Sequence, residues 1–302
     1  MKVGFIGLGA MGLPMARRVV GAGYKTYTTI HNRRGPADQL HAMGSEVLPD
    51  PSDVAGEADV VITILPADAE LRETVFGPAG ILKGFASGKV LVEMTTATAL
   101  AMQEVDAAIR AVGGEVLDAP VSGGTPAAAE GTLTIMVGGD APVLEHCRPL
   151  LETMGNRIVH VGPVGQGKVV KIVNQLLAAI HVLAIGEAFA LGIKCGTDPR
   201  TLYEVIKSSS GYSKMMDLRL PGFLLEGLFQ PGFKLDLMRK DVNLALQSAR
   251  ANGIPLDLAS EAAQIFAAAS AAGKGNEDFS AAAQFLASRA GIDLSSAKDK
   301  QA

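Results

Sequence analysis

The chain has 302 residues, 48% of them hydrophobic and 19% charged, with a mean hydropathy of +0.26. At roughly 150 residues per domain that is material for two domains with buried cores, which excludes a single small module and general disorder. Its 27 Lys and Arg against 31 Asp and Glu leave a net charge of −4, so no global basic field exists to hold a polyanion, and nucleic acid is not an expected partner. Two cysteines, Cys147 and Cys195, permit at most one disulfide. Their sparse use fits a reducing compartment, and both are expected to be buried thiols.

In chain order, the first apolar run, residues 3–6, is too short for a signal-peptide core and passes straight into glycines, so a cytoplasmic location is expected. A helix is predicted over 11–22, then β-branched strands at 26–30, 60–65 and 90–93, the last followed by a helix over 99–111. Such alternation predicts βαβ units and a parallel sheet. A further strand is expected at 133–137, then a helix over 143–154 with Asp140 as its cap, Pro142 in its first turn and Gly155 at its end. A strand at 158–161 completes this half. After Gly162-Pro163-Val164-Gly165 the β signal stops, and helices are predicted over 169–193, 199–208, 237–251 and 256–271, with a polar end, 295–302, that frays. An α/β half is thus followed by an all-α half. The run 169–193 is long enough to span a bilayer, but it holds Lys171, Asn174, Gln175, His181 and Glu187, so a buried helix is the better reading and no membrane is an expected partner. It is also longer than one small helical domain needs for its own core, which points to a homodimer or homotetramer.

Gly7-Leu8-Gly9-Ala10-Met11-Gly12 fits G-x-G-x-x-G, directly after a predicted strand and opening a predicted helix. Gly7 permits the tight turn, Gly9 lets a pyrophosphate approach the backbone, and Gly12 lets helix pack on strand. The amides of the helix start, with Ala10 and Met11 in the loop, attract the anion. The expected fold is therefore an α/β Rossmann-type dinucleotide-binding domain, residues 1–162, followed by an all-helical substrate and oligomerisation domain, residues 163–302. Such a site normally has an acidic residue about 20 positions onward to bond the adenine ribose diol. Here that place reads His31-Asn32-Arg33-Arg34, with no carboxylate and two guanidinium groups suited to a 2′-phosphate. NADP is expected over NAD; the competing reading is a solvated pair of surface arginines.

Ser122-Gly123-Gly124 offers a hydroxyl and closely spaced amides suited to a carboxylate, although a glycine pair is as often an ordinary turn. Lys171, Asn174, Gln175, Ala178 and His181 fall on one helical stripe. A lysine among Val169, Val170, Ile172 and Val173 is not expected to be fully solvated, and desolvation makes a lysine a usable proton donor and acceptor near neutral pH. Lys168 reads as a snorkelling lysine at a helix start, and Lys240, before Asp241, as an exposed charge. Residues 208–213 read as a loop, either over substrate or as a plain connection. The five histidines and two cysteines show no metal-ligand spacing, so no metal is expected.

Four motifs in order, the glycine loop, Asp118-Ala119-Pro120-Val121-Ser122-Gly123-Gly124, Gly165-Gln166-Gly167 through Lys171 to Asn174-Gln175, and Lys240-Asp241, give the chain its resemblance to a known family. Over about residues 1–290 it resembles the β-hydroxyacid dehydrogenases, which include 3-hydroxyisobutyrate dehydrogenase and tartronate semialdehyde reductase. The resemblance implies a 6-phosphogluconate dehydrogenase-like C-terminal domain and NAD(P)-dependent interconversion of a short β-hydroxy acid and its semialdehyde, of the 3-hydroxyisobutyrate or 2-hydroxy-3-oxopropionate type. It also implies that Ser122, Gly123 and Gly124 bind the carboxylate of a small substrate and that Lys171 is the catalytic acid and base. Asn174 and Gln175 would orient the hydroxyl, Lys240 would lie near the nicotinamide, and Leu65, Pro66 and Thr96 would contact the cofactor. Gln175 stands where many members have a second Asn, which bears on substrate preference rather than on the chemistry. Two other readings are an imine or other carbonyl reductase on the same scaffold, opposed by Ser122 and Lys171, and a non-catalytic dinucleotide-binding interaction module, opposed by Lys171.

Overall fold

A computed structural model describes residues 1–295, so the polar end expected to fray lies, beyond Ser295, outside the described residues. The chain divides into two compact units, Met1–Lys171 and Ile172–Ala302.

The first unit alternates strand and helix. In chain order it runs β1 (Lys2–Ile6), α1 (Gly12–Gly21), β2 (Lys25–Thr29), α2 (Gly35–His41), β3 (Glu46–Leu48), α3 (Pro51–Glu57), β4 (Val60–Thr63), α4 (Asp68–Phe76), α5 (Ile81–Gly84), β5 (Val90–Glu93) and α6 (Ala99–Ala111). It continues through β6 (Glu115–Asp118), β7 (Val121–Ser122), α7 (Gly124–Glu130), β8 (Thr134–Gly139), α8 (Ala141–Leu151) and β9 (Arg157–Gly162) to the start of α9 (Gln166–Lys194). The strands form one sheet in the order β3-β2-β1-β4-β5-β6-β8-β7, with β9 beside β8. From β3 to β6 all pairs are parallel, whereas β8 runs antiparallel to both β6 and β7, so the sheet expected to be parallel has an antiparallel margin. β4 and β5 are buried along their whole length, as parallel strands covered on both faces must be. Alternate residues serve opposite faces: Val60 and Ile62 join the core under α1, α2 and α8, while Val61 joins the core under α3 to α6. The chain order reverses between β1 and β4, which opens a crevice at their carboxyl ends.

The helix expected over 143–154 runs over Ala141–Leu151. Asp140 occupies its N-cap position without a capping bond and accepts instead from Arg110 Nη2 at 3.1 Å. Gly155 lies past the helix end for another reason: a Cβ there would sit 2.4 Å from the Leu133 carbonyl oxygen.

The second unit holds the remainder of α9, then α10 (Pro199–Lys207), α11 (Lys214–Arg219), α12 (Leu235–Ala251), α13 (Asp257–Ala269) and α14 (Ala281–Ser288). Its core gathers Phe189, Leu220, Met238, Phe266 and the alanines at the start of α14. Arg219 is stapled there, its guanidinium 4.9 Å and 4.7 Å from the Phe223 and Phe279 rings and its Nε 3.1 Å from the buried Asp278 carboxylate. Two sequence expectations fail here. Cys195 is exposed, while Cys147 is buried in the first unit. The helix α9 is long and apolar enough to cross a membrane, yet only 39% of its most apolar stretch is buried, with Val173, Leu177 and Leu191 at 51%, 51% and 68% exposure.

Candidate active site

The glycine loop leaves β1 and enters α1 with three distinct local demands. Gly7 has φ +103°, a left-handed conformation that favours glycine, and a Cβ there would lie 2.1 Å from the Ile64 carbonyl oxygen. Gly12 has no room either: its Cβ would fall 1.8 Å from the Gly7 carbonyl oxygen. Gly9, in contrast, has nothing within 4 Å of where a Cβ would stand. Two of the glycines are therefore required by the protein itself, and the third faces open space. No side chain caps the start of α1, where Ala10 and Met11 lead in, so the positive end of its dipole serves an approaching anion. This cradle fits the pyrophosphate of a dinucleotide.

The neighbouring strand ends carry the other expected contacts. Leu65 and Pro66 follow β4, and Thr96 follows β5. The Leu65 amide donates to Thr95 Oγ1 at 2.8 Å, tying these two strand ends together. Asn32, Arg33 and Arg34 occupy the exposed connection between β2 and α2. Arg34 is partly engaged, its Nε 3.2 Å from Asp38 Oδ1.

At the end of β6, Asp118 is fully buried, and its carboxylate accepts from the Gly165 amide at 2.8 Å and the Lys168 amide at 2.9 Å. A strand residue thus caps the start of α9, satisfying amides that have no partner within the helix. Burial pushes the Asp118 carboxyl above its usual range, while Lys168 and the two amides pull it back. Five and six residues further, Gly123 (φ +140°) and Gly124 (φ +72°) turn the chain out of β7 beside the half-buried Ser122.

Lys168 does not snorkel. It is 0% exposed, its Nζ donates to the Glu93 and Thr95 carbonyls at 2.8 Å each, and it forms an ion pair with the buried Glu93 carboxylate. Lys171, one turn on, is 7% exposed. The residues expected to desolvate it do not: Val169, Val170 and Val173 are exposed, and of its apolar sequence neighbours only Ile172 is buried. Neighbours in sequence point around a helix in different directions.

In the second unit Asn174 and Gln175 separate. Asn174 is exposed, whereas Gln175 is buried and its Nε2 donates to Asp241 Oδ2 at 2.7 Å. Asn174 Nδ2 in turn donates to Gln175 Oε1 at 3.2 Å. Lys240, expected as an exposed charge, is three-quarters buried and 3.0 Å from Asp241 Oδ1. One buried carboxylate thus joins two of the expected site residues. Sequence reasoning singled out neither Glu93 nor the bonding of Asp118 and Asp241; the available signal was a charged residue closing an otherwise apolar strand, as in Val90–Glu93.

Fold and cradle together define an NAD(P)-binding oxidoreductase. Residues 2–162 match the NAD binding domain of 6-phosphogluconate dehydrogenase, and residues 165–286 match the family model described as NAD-binding of NADP-dependent 3-hydroxyisobutyrate dehydrogenase. The chain is 39% identical to 2-(hydroxymethyl)glutarate dehydrogenase of Eubacterium barkeri over 98% of both chains. It is 36% identical to 2-hydroxy-3-oxopropionate reductase of Escherichia coli (strain K12), covering 95% of this chain and 97% of that one. A structure of Mycobacterium tuberculosis 3-hydroxyisobutyrate dehydrogenase with L-serine matches at TM-score 0.88 and 35% identity, over 94% of this chain and 98% of that one. The chain belongs to the β-hydroxyacid dehydrogenase family, enzymes that act on a hydroxyl group with NAD(P).

Proposed function

We propose that this enzyme interconverts a short β-hydroxy acid and its semialdehyde, prefers NADP, and uses Lys171 as general acid and base. The observation that carries the reading is the burial of Lys171 to 7% exposure on a helix whose first turn is bonded to the carboxyl ends of β5 and β6. When bound, the nicotinamide exchanges a hydride with the carbon that bears the hydroxyl. Lys171 takes the hydroxyl proton in oxidation and returns it in reduction. Ser122 Oγ and the Gly123 and Gly124 amides donate to the substrate carboxylate, which fixes the reacting carbon and supplies much of the positional advantage. Asn174 and Gln175 hold the hydroxyl; the bond from Gln175 to Asp241 sets which way its amide faces. The family resemblance implies that Lys240 serves the nicotinamide and that Leu65, Pro66 and Thr96 contact the cofactor.

The relatives act on hydroxy acids with quite different side groups, so the side group is the open variable. A panel of 3-hydroxyisobutyrate, glycerate, serine and 2-(hydroxymethyl)glutarate, with the matching semialdehydes and both nicotinamide cofactors, tests the reading. Turnover of at least one, faster with NADP, is expected; no turnover of any would overturn it. Arg33→Ala should weaken NADP relative to NAD by about 1.5–3 kcal/mol, the worth of a charged hydrogen bond. An unchanged ratio would assign the exposed arginines to solvent. The exposed apolar residues of α9 support a homodimer or homotetramer. Light scattering should find one, and Leu177→Asp should weaken it.

A further inference from the structure

The lysine at the start of α9 that the chemistry does not use is fully buried, as are Glu93 and Asp118. The first turn of α9 is held by two carboxylates from neighbouring strands. Asp118, closing β6, grips its backbone through the Gly165 and Lys168 amides. Glu93, closing β5, grips its side chain: the Lys168 ammonium meets the Glu93 carboxylate and the Glu93 and Thr95 carbonyls. Two carbonyls accept hydrogen bonds from the ammonium and the carboxylate offsets its charge. Glu93 Oε1 also accepts from the Thr95 amide at 2.9 Å, and Thr95 Oγ1 accepts from the Leu65 amide at 2.8 Å. An unbroken chain of bonds therefore links the loop after β4, the loop after β5, the end of β6 and the start of α9.

The glycines around this cluster are there for its close approach. A Cβ on Gly167 would lie 2.6 Å from the Asp118 carbonyl oxygen, and one on Gly138 would lie 2.2 Å from Asp118 Oδ1. Gly165 turns into the helix at φ +97°. Stability alone does not ask for this arrangement, because an apolar set of the same volume is often as stable as a buried ion pair. What an ion pair with fixed carbonyl partners provides is a unique rotation and depth for the helix that bears it.

We propose that Lys168, Glu93 and Asp118 form a positioning cluster that sets the rotation and depth of α9, and hence of Lys171, against the strand-end loops carrying Leu65 and Thr96. Lys171 lies three residues beyond Lys168 on the same helix, so a slip of the first turn displaces its ammonium directly. The inference rests on Lys171 being the proton carrier.

The test is the double variant Lys168→Met/Glu93→Gln, which removes both ions of the pair together and leaves the Asp118 carboxylate on its two backbone amides. Melting temperature, NADP dissociation constant, kcat and KM are read for it, for Asp118→Asn and for Lys171→Ala. Positioning predicts a folded double variant with NADP affinity within a few-fold of the parent, little change in KM, and kcat lower by about 100-fold, the effect of a misplacement of roughly 1 Å. Asp118→Asn leaves the Lys168–Glu93 pair intact and decides the matter if the double variant does not fold; its kcat should fall by about tenfold or more, while its NADP affinity stays near the parent's. A purely structural cluster would lower the melting temperature and leave kcat of the folded enzyme unchanged, and that result would overturn the proposal. Parental kcat in Lys171→Ala would instead remove the acid–base reading, and the positioning role with it.

Discussion

The dinucleotide unit and the helical unit carry their functional groups in different ways. In the first, the cofactor cradle is made by backbone: Gly7 and Gly12 are required by contacts with Ile64 and with the loop itself, and Gly9 faces open space. In the second, the groups are side chains joined across helices, Gln175 on α9 to Asp241 on α12, 66 residues apart in sequence. A backbone requirement is local and leaves a glycine at a fixed spacing. A side-chain network is assembled by the fold and leaves no local mark. Binding of the cofactor and proton transfer should therefore be separable by mutation.

The largest expected effect lies at Lys171. Lys171→Ala should lower kcat by about 10²–10⁴-fold, the usual worth of general acid–base catalysis, with NADP affinity unchanged. Lys171→Arg should be nearly as poor, since a guanidinium does not give up its proton. Steady-state rates beside a cofactor titration check this, and a parallel loss of NADP binding would break the proposed separation.

The glycine loop gives a smaller and sharper contrast. Gly12→Ala must displace the Gly7 carbonyl and should cost about 1–3 kcal/mol of stability, as overpacking does. Gly9→Ala meets nothing in the protein, so it should keep the parental melting temperature while weakening NADP, because its methyl group takes the place of the pyrophosphate. Thermal melts and cofactor titrations of the two variants would contradict the assignment if Gly9→Ala melted early.

The smallest effect concerns the thiols. Burial pushes the Cys147 thiol up to about 12, so the thiolate is disfavoured at all lower pH and amounts to about 10⁻⁴ of the total at pH 8. Cys195 is exposed. A thiol reagent at pH 8 should find one fast cysteine in the native protein and two in denaturant, with the second becoming reactive in the folded state only as pH nears 12. Two fast native thiols would show that the Cys147 core opens readily.

The contrast between the units also explains which features were legible in the sequence. The long helices of the second half and strands such as Val90–Glu93 carry strong apolar signals and appear close to where they were expected. Short amphipathic elements, α2, β3 and α3, carry little pattern and were not anticipated. The glycine loop and Ser122-Gly123-Gly124 were legible because the backbone at Gly7, Gly12, Gly123 and Gly124 demands glycine. Lys168 was misread because its burial depends on Glu93, 75 residues away, and nothing adjacent to it announces that partner. Lys171 was expected to be buried for a reason that does not hold, since its valine neighbours face outward. Cys195 was misplaced because sparse cysteine use says nothing about position, and this cysteine stands in the exposed turn just past the end of α9.

The central claim, that a free carboxylate on a short β-hydroxy acid is held at Ser122-Gly123-Gly124 while the hydroxyl reacts, is tested most directly by one comparison. The best acid from the panel and its methyl ester are assayed side by side with saturating NADP. Loss of the charge should reduce kcat/KM by about 10–100-fold, in keeping with the 1.5–3 kcal/mol of a hydrogen bond to a charged group. Equal kcat/KM for acid and ester would contradict the account.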